Sequence, residues 1–343
     1  MINDKPFYVF STCLLVKGAS RSIIYDLQRK SFDYIPNELH EILEEFNGRK
    51  VNDVFEHYGI ENAEALKEYF NFLNEKEYIY YSNLNKSYFP KYRLEWESPF
   101  KISNIILDIS ASNMNLIDKL YHEIEILGVG GISFRFHSAK DYLAYFENIV
   151  NIFSISRCRS LEFFIPYSEA IDEKHLDDMT VINNRIFSYH IYGAPKDAIA
   201  ALEGIKTPVF YHTELLDHNN DNNYIHKSNF IISREMFVES NNYNTYFNRK
   251  IFIDKYGKIK NAPAILKDHG NFAAMNLADV LKKPSFKKYW RIKKDMIEGC
   301  NICEYRHMCV DSRVPVNRGS NLWSVEGNCG YDPYNMVWID EKK

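Results

Sequence analysis

The sequence predicts an α/β protein made of three units, each with its own pattern. Residues 1–85 contain four stretches typical of strands and three typical of helices. Residues 100–245 alternate between apolar strands and amphipathic helices, which predicts a parallel sheet. Residues 246–343 contain four of the six cysteines, which makes this third unit a candidate metal-binding region.

The composition of the chain is that of a globular protein with a sizeable core. Its 343 residues are 45% hydrophobic and 26% charged, and the formal net charge is −4. This net charge argues against a protein that grips nucleic acid along its whole surface. The N-terminal stretch has no secretion-signal pattern, and no apolar run is long enough to cross a membrane. We therefore expect a soluble cytoplasmic protein with reduced cysteines, in which clustered thiols indicate metal rather than disulfides.

The first unit, residues 1–85, is predicted to be a winged-helix domain. Strands are indicated by β-branched and aromatic residues in "YVFSTCLLVKG", "RSIIYDL", "SFDYI" and "YIYYS". Between the third and fourth of these, apolar residues recur at helical spacing in three runs that end near Phe46, Tyr58 and Leu73. A polar linker with prolines at positions 90 and 99 follows this unit.

The second unit, residues 100–245, is predicted to be a partial (β/α)6 barrel. Its strands are "ISNIILDIS", "GGISFRF", "SLEFFIPY", "RIFSYHIYG", "TPVFYHTEL" and a sixth, "NFIIS", and a short helix is predicted at "PKDAIAALEG". Parallel strands need right-handed crossovers, and six units are too few to close an eight-stranded barrel. The spacing of His212, Glu214, Asp217 and His218 matches no helical ligand motif, so we interpret them as a strand end and a loop.

The third unit, residues 246–343, begins with a predicted hairpin, "RKIFIDKYGKIKN", and contains the clustered cysteines. Two residues separate Cys300 from Cys303, five separate Cys303 from Cys309, and nineteen separate Cys309 from Cys329. Four thiolates from one short region fit a tetrahedral zinc site or the four corners of an iron–sulfur cube, and spacing alone does not distinguish the two. Four protein ligands leave no open position, which predicts a structural or electron-transferring centre.

This cysteine spacing resembles the second auxiliary cluster of SPASM domains, the C-terminal extensions of radical SAM enzymes that mature ribosomal peptides. "IFIDKYGKIKNAP", "HGNF" and "LADVLKKPSFKKYW" are similar to the stretch that precedes that cluster. The resemblance implies a 4Fe–4S cluster on Cys300, Cys303, Cys309 and Cys329. It implies no first auxiliary cluster, because Ala262 and Arg313 stand where two cysteines of the full family would be.

The barrel region departs from radical SAM enzymes at the position of their catalytic cluster. Those enzymes carry Cys-x3-Cys-x2-Cys after the first barrel strand, where this chain has "SASNMN", residues 110–115. No cleavage of S-adenosylmethionine is therefore expected. The combination resembles the SPASM-domain maturases of grasp-with-spasm systems, which are encoded beside an ATP-grasp ligase and a precursor peptide. "CNICEYRHMCVDSR" and "CGYDPYNMVW" carry this resemblance.

The first unit resembles the leader-recognition domains of peptide-maturation enzymes, in which a leader peptide adds a strand to the sheet and contacts the third helix. By position, the resemblance implies a binding edge at residues 31–34 and a groove wall on the third helix. The implied residues are Phe32, Tyr34, Tyr69, Phe70 and Leu73. The alternative interpretation places these aromatic and apolar residues in the core, since helical apolar spacing is first a packing signal.

Together the resemblances predict a maturation factor for ribosomally made peptides, and no catalytic residue is identified. It would recognise the leader of a precursor peptide and assist an ATP-grasp ligase in forming ester or amide crosslinks between side chains. One alternative is an iron–sulfur enzyme that modifies the peptide without S-adenosylmethionine, at the cluster or at Cys158. The other is a zinc-stabilised module for protein interactions.

Overall fold

The first unit contains five strands in two separate sheets. The computed structural model describes residues 4–201, 207–219, 225, 227, 230–327 and 329–338. An antiparallel sheet has the order β2-β3-β4, and β1 pairs with β5. These strands are β1 (Phe7–Val9), β2 (Cys13–Lys17), β3 (Ser22–Asp26), β4 (Ser31–Ile35) and β5 (Ile79–Tyr81). All four predicted strand stretches are confirmed, the first of them as two strands.

Three helices separate β4 from β5, as predicted: α1 (Asn37–Glu45), α2 (Val51–Tyr58) and α3 (Ala63–Glu75). Their apolar faces form a core with Phe7 and with Ile24 of the central strand β3. Every residue of β3 is buried, because its side chains alternate between two cores. Ile24 faces the helices, whereas Ile23 and Tyr25 pack against Tyr305 and its neighbours in the cysteine region. The three-stranded sheet therefore joins the first unit to the last.

The second unit is organised around one eight-stranded sheet with the order β10-β11-β9-β8-β7-β6-β12-β13. Six neighbouring strands, from β11 to β12 in that order, are parallel, and an antiparallel strand lies at each end. The strands are β6 (Ile102–Ile109), β7 (Val129–Phe136), β8 (Ser160–Pro166), β9 (Ile186–Tyr192), β10 (Ala198–Ala201), β11 (Pro208–His212), β12 (Lys250–Ile253) and β13 (Ile259–Lys260).

One strand prediction and one helix prediction in this unit are wrong. Residues 230–233 of the predicted sixth strand "NFIIS" form no strand, and Asn229 lies outside the described residues. The sixth parallel strand is instead β12, from the predicted hairpin, and it pairs with β6. Part of the predicted helix "PKDAIAALEG" is β10, which pairs with β11 in register from Ala198 opposite Tyr211. Residues 202–204 of that predicted helix lie outside the described residues.

The sheet buries one face under helices and gathers its charged side chains on the other. The remaining helices are α4 (Ile117–Leu127), α5 (Ala139–Phe153), α6 (Glu173–Ile182), α7 (Arg234–Asn242) and the short α8 (Leu277–Val280). One set of alternating side chains, including Leu107, Phe134 and Phe163, packs with α4, α5 and α6 in the largest core. The opposite set includes Asp108 and Arg135 beside the apolar Ile106 and Phe252, and we call this side of the sheet its polar face.

Two short hairpins complete the chain: β14 (Pro315–Val316) with β15 (Ser324–Val325), and β16 (Tyr331–Asp332) with β17 (Val337–Trp338). Both lie in the cysteine region. Among the residues described, no helix is both long and apolar enough to span a bilayer.

Replacing Phe163 by Ala should lower the free energy of unfolding by about 3–5 kcal/mol, because a large cavity would open in the core. Phe163 is fully buried and stacks on Phe134 with ring centroids 5.3 Å apart. Phe187 on the neighbouring strand β9 is 64% exposed, so Phe187→Ala is the matched control. Urea unfolding measures both. Equal losses in the two variants would contradict this description of the apolar face.

Candidate functional site

The four clustered cysteines line one cavity of 310 Å³, bordered also by Lys294, Arg306 and Arg313. The loop around Cys300 is wound by successive backbone hydrogen bonds, from Cys303 N to Cys300 O (3.1 Å) and from Cys309 N to Tyr305 O (3.1 Å). These turns bring three sulfurs to one side of the loop. Cys329 lies just before β16, where the backbone N–H of Tyr331 donates to its sulfur over 3.4 Å.

The thiols are held in surroundings that favour their neutral form until a cation binds. Burial raises the pKa of Cys300 and Cys303, and it raises the pKa of Cys309 to about 11. A metal binds the thiolate, so it must displace these protons. Among the described residues these thiols form no disulfide. The donor set is therefore suited to a metal centre that forms with release of protons.

A single ion and a cluster require different sulfur spacings. Four sulfurs bound to one zinc ion at about 2.3 Å lie about 3.8 Å from one another. In an iron–sulfur cube each thiolate binds a different iron, so the sulfurs lie farther apart. In the described part of the chain, no three of these thiols have sulfurs all within 4.8 Å of one another. Four thiolates around one cavity fit either centre once their side chains turn towards it.

Two cations and one carboxylate surround the thiols. Lys294 is 3% exposed at its side chain, and its Nζ lies 2.8 Å from Asp311 Oδ2. Arg313 Nη2 lies 2.9 Å from the same oxygen. Burial alone would raise the pKa of Asp311, but Lys294 and Arg313 outweigh it and hold the pKa below its usual range. A net positive wall of this kind would stabilise an anionic metal centre.

A buried carboxylate connects this loop to the N-terminal sheet. Glu304 is fully buried, and its Oε1 accepts hydrogen bonds from Arg21 Nε (2.8 Å) and Tyr331 OH (2.5 Å). The hydroxyl of Tyr25 on β3 donates to the backbone oxygen of Glu304 over 3.1 Å. Glu304 stands between Cys303 and Cys309, so these contacts tie the first sheet to the backbone that positions the thiols. We call Glu304, Arg21 and Tyr331 the carboxylate clasp.

The five residues that the resemblance implies for peptide binding do not share one surface. Phe32 and Tyr34 face the cysteine loop, and the Tyr34 hydroxyl lies 2.6 Å from that of Tyr305. Phe70 and Leu73 are 5% and 0% exposed in the helical core. Tyr69 is half-buried on α3. β4 and β2 are the two end strands of this sheet, so each has one edge that pairs with no other strand of the described residues.

A polar cluster at the carboxyl ends of β6 and β7 was missed in the sequence. Asp108 accepts from Arg135 Nε over 2.7 Å, and His137 and His218 also lie against its carboxylate. The sequence did contain a signal for this cluster. Asp108 and His137 lie at the ends of adjacent parallel strands, where ligands commonly bind. His218 comes from a loop whose position the sequence does not reveal. Lys294 was also missed, because nothing in a run of basic residues marks one of them as buried.

Replacing Glu304 by Ala should lower the free energy of unfolding by roughly 3 kcal/mol, because Arg21 would keep a partly buried charge without its partner. The matched control is Glu41→Ala, which breaks an exposed ion pair with Lys17 and should leave the midpoint nearly unchanged. Urea unfolding followed by tryptophan fluorescence makes the comparison. Similar midpoints for the two variants would show that the carboxylate clasp contributes little.

Comparisons with known proteins give distant structural neighbours alone. No protein-family model and no curated protein matches the chain. The structural neighbours include crystal structures of Streptococcus suis SuiB, determined alone, bound to S-adenosylmethionine and bound to precursor peptide SuiA. Each is 10% identical to this chain and covers 88% of it and 94% of its own length, with TM-scores of 0.33, 0.30 and 0.30 respectively. At these scores the likeness carries no argument for the fold or the function.

Proposed function

We propose that this protein binds a precursor peptide and presents it for maturation, and that it carries one 4Fe–4S cluster on Cys300, Cys303, Cys309 and Cys329. The observation that carries the proposal is the direct packing of the N-terminal sheet on the thiol loop through the carboxylate clasp. The sheet is the element that the resemblance assigns to leader recognition. Its attachment to a metal-stabilised loop would fix its position relative to the rest of the chain.

The cluster is favoured over a single zinc ion by the resemblance in cysteine spacing, and the net positive wall of Lys294, Arg313 and Asp311 would suit such an anionic centre. When bound, the cluster would supply a closed centre that holds the loop together and can carry an electron. With four protein ligands it would offer no iron to a substrate. The surrounding residues would therefore act by positioning, since the loop they anchor supports the peptide-binding sheet.

The loop after β6 suits a peptide-binding protein better than a radical enzyme. Residues 110–115 contain no cysteine. Their polar side chains are used internally: Ser110 and Ser112 both donate to the backbone oxygen of Lys255, over 2.9 and 2.6 Å, and Asn113 donates to that of Asp108. These bonds fasten the carboxyl end of the sheet to the β12–β13 hairpin, which suits a scaffold.

The peptide would bind as an added strand on the outer edge of β4, in the manner of other strand-addition complexes. The side chain of Asp33 on this strand is held by Lys76 Nζ at 3.0 Å and by Tyr78 OH at 2.6 Å, so the edge is supported from the α3 side. Tyr69 is half-buried on α3, and the resemblance implies that it would contact the bound peptide. By resemblance, the enzyme that acts on the presented peptide is an ATP-grasp ligase forming ester or amide crosslinks.

The alternative of an enzyme that uses Cys158 is disfavoured by the surroundings of that thiol. Cys158 is 2% exposed, and burial raises its pKa to about 11. A nucleophilic cysteine needs the thiolate and access to its substrate. The zinc-stabilised interaction module remains the second candidate, and the metal content separates it from our proposal.

Replacing Cys300 or Cys329 by Ala should remove the iron and the inorganic sulfide from anaerobically purified protein. Each variant would leave an open corner, so the broad visible absorption of the cluster should be lost. The matched control is Cys158→Ala, which removes a buried thiol outside the cavity and should keep the full iron content. One zinc and no iron per chain in the wild-type protein would establish the zinc module instead.

The full-length protein should bind the precursor peptide encoded beside its gene, and Tyr69→Ala should weaken this binding about tenfold, as loss of one aromatic contact residue does. Fluorescence anisotropy of the labelled peptide gives the affinity. Lys67→Ala, an exposed change on the same helix, is the control and should bind as the wild type does. No binding by wild-type protein with an intact metal centre would refute the recognition role.

A further inference from the structure

Three residues that can bind metal meet at the carboxyl edge of the parallel sheet, away from the thiols. Asp108 lies near the end of β6, His137 directly follows β7, and His218 belongs to the loop after β11. One ligand atom of each lies within 4.8 Å of the others. Two imidazoles and one carboxylate from three separate segments are a common ligand set for transition metals.

Two of the three distances between these ligand atoms match a tetrahedral site. His137 Nε2 lies 3.3 Å and His218 Nδ1 lies 3.4 Å from the same oxygen, Asp108 Oδ2. Nitrogen and oxygen ligands at 2.0–2.2 Å from a tetrahedral zinc ion are about 3.4 Å apart. Both measured separations therefore match the edges of such a tetrahedron.

Hydrogen bonding within the cluster does not account for all of its polar atoms. His218 Nδ1 is buried and, in the part of the chain described, has no hydrogen-bond partner, since its contact with Asp108 lacks the required geometry. An ion placed between the two imidazoles and the carboxylate would satisfy it. The rings of His137 and His218 stack with centroids 3.6 Å apart and planes 18° apart. Because an imidazole binds metal in the plane of its ring, one of the two rings must turn for both nitrogens to point at the same ion.

Arg135 completes the arrangement as a positioning residue. Its Nε donates to Asp108 Oδ1 over 2.7 Å, which leaves Oδ2 directed at the two imidazoles. Its Nη2 donates to the backbone oxygen of His218 over 2.7 Å and so fixes the loop that carries this residue. Carboxylates that bind metal are commonly oriented by such outer contacts. The same side chain also lines a 540 Å³ cavity on the polar face of the sheet.

We propose that Asp108, His137 and His218 bind one divalent transition-metal ion, with zinc as the best match. Three protein ligands leave at least one coordination position for water or for a donor group of a bound molecule. The site differs in kind from the thiol centre, because it offers nitrogen and oxygen ligands and an open position. The proposal for this site does not depend on which metal the thiols bind.

The test is a Co²⁺ titration of full-length protein whose thiol centre is already loaded and whose loosely bound ions have been removed with a weak chelator. We expect one further equivalent per chain, with ligand-field absorption and without a thiolate charge-transfer band. The double variant His137→Ala/His218→Ala should lose this equivalent or bind it more than about tenfold more weakly. Because His57 and His122 are exposed and lie outside the cluster, His57→Ala/His122→Ala is the control that removes two other imidazoles.

Three results would overturn the proposal: no further equivalent in the wild type, equal binding by the double variant, or a charge-transfer band showing that the ion went to the thiols. Circular dichroism checks that each variant is folded. Should the double variant fail to fold, His218→Gln gives the answer, because this residue lies in a loop rather than in the sheet. Unchanged Co²⁺ binding by folded His218→Gln would equally refute the site.

Discussion

The buried carboxylate of Glu304 makes the contacts that hold the N-terminal sheet against the cysteine loop. Arg21 and Glu304 are 283 residues apart in the sequence, yet their side chains meet at 2.8 Å. A fully buried carboxylate is unfavourable unless charged and hydrogen-bonding partners surround it, so its place is acceptable only while the N-terminal sheet is docked. Tyr25 and Tyr331 provide further bonds. The thiol loop and the N-terminal sheet therefore form one structural element built from both ends of the chain.

A second constraint on the eight-stranded sheet is that α4, α5 and α6 cover only one of its faces. Side chains on that face are apolar and closely packed, with Phe134 and Phe163 at its centre. The other face gathers charged groups, which must then satisfy each other. Asp108 and Arg135 do so at 2.7 Å with side chains 2% and 3% exposed. Polar chemistry is thereby concentrated at one edge of the sheet, while the thiols stay in a separate region.

Much of the local structure could be predicted from the sequence, because strand and helix periods are local properties. The strands and helices of residues 1–85 and the alternation after Ile102 are of this kind. The residues 198–201 were misread because an alanine-rich stretch favours a helix until a partner strand such as β11 is present. The place of β12 beside β6 was not predictable, since pairing across such a distance leaves no local signal. The cysteine spacing indicated the thiol site directly. The contact between Phe32 and Tyr305 could not be predicted, because it forms only when the N-terminal sheet docks on the cysteine region.

The pairing of β12 with β6 has a consequence for how the protein is made. During synthesis β6 leaves the ribosome long before residues 250–253, so one edge of the central sheet stays open while the nascent chain grows. Unpaired edges attract other strands, and β6 is rich in isoleucine. The interval before β12 arrives is thus the period in which newly made chains are most exposed to aggregation.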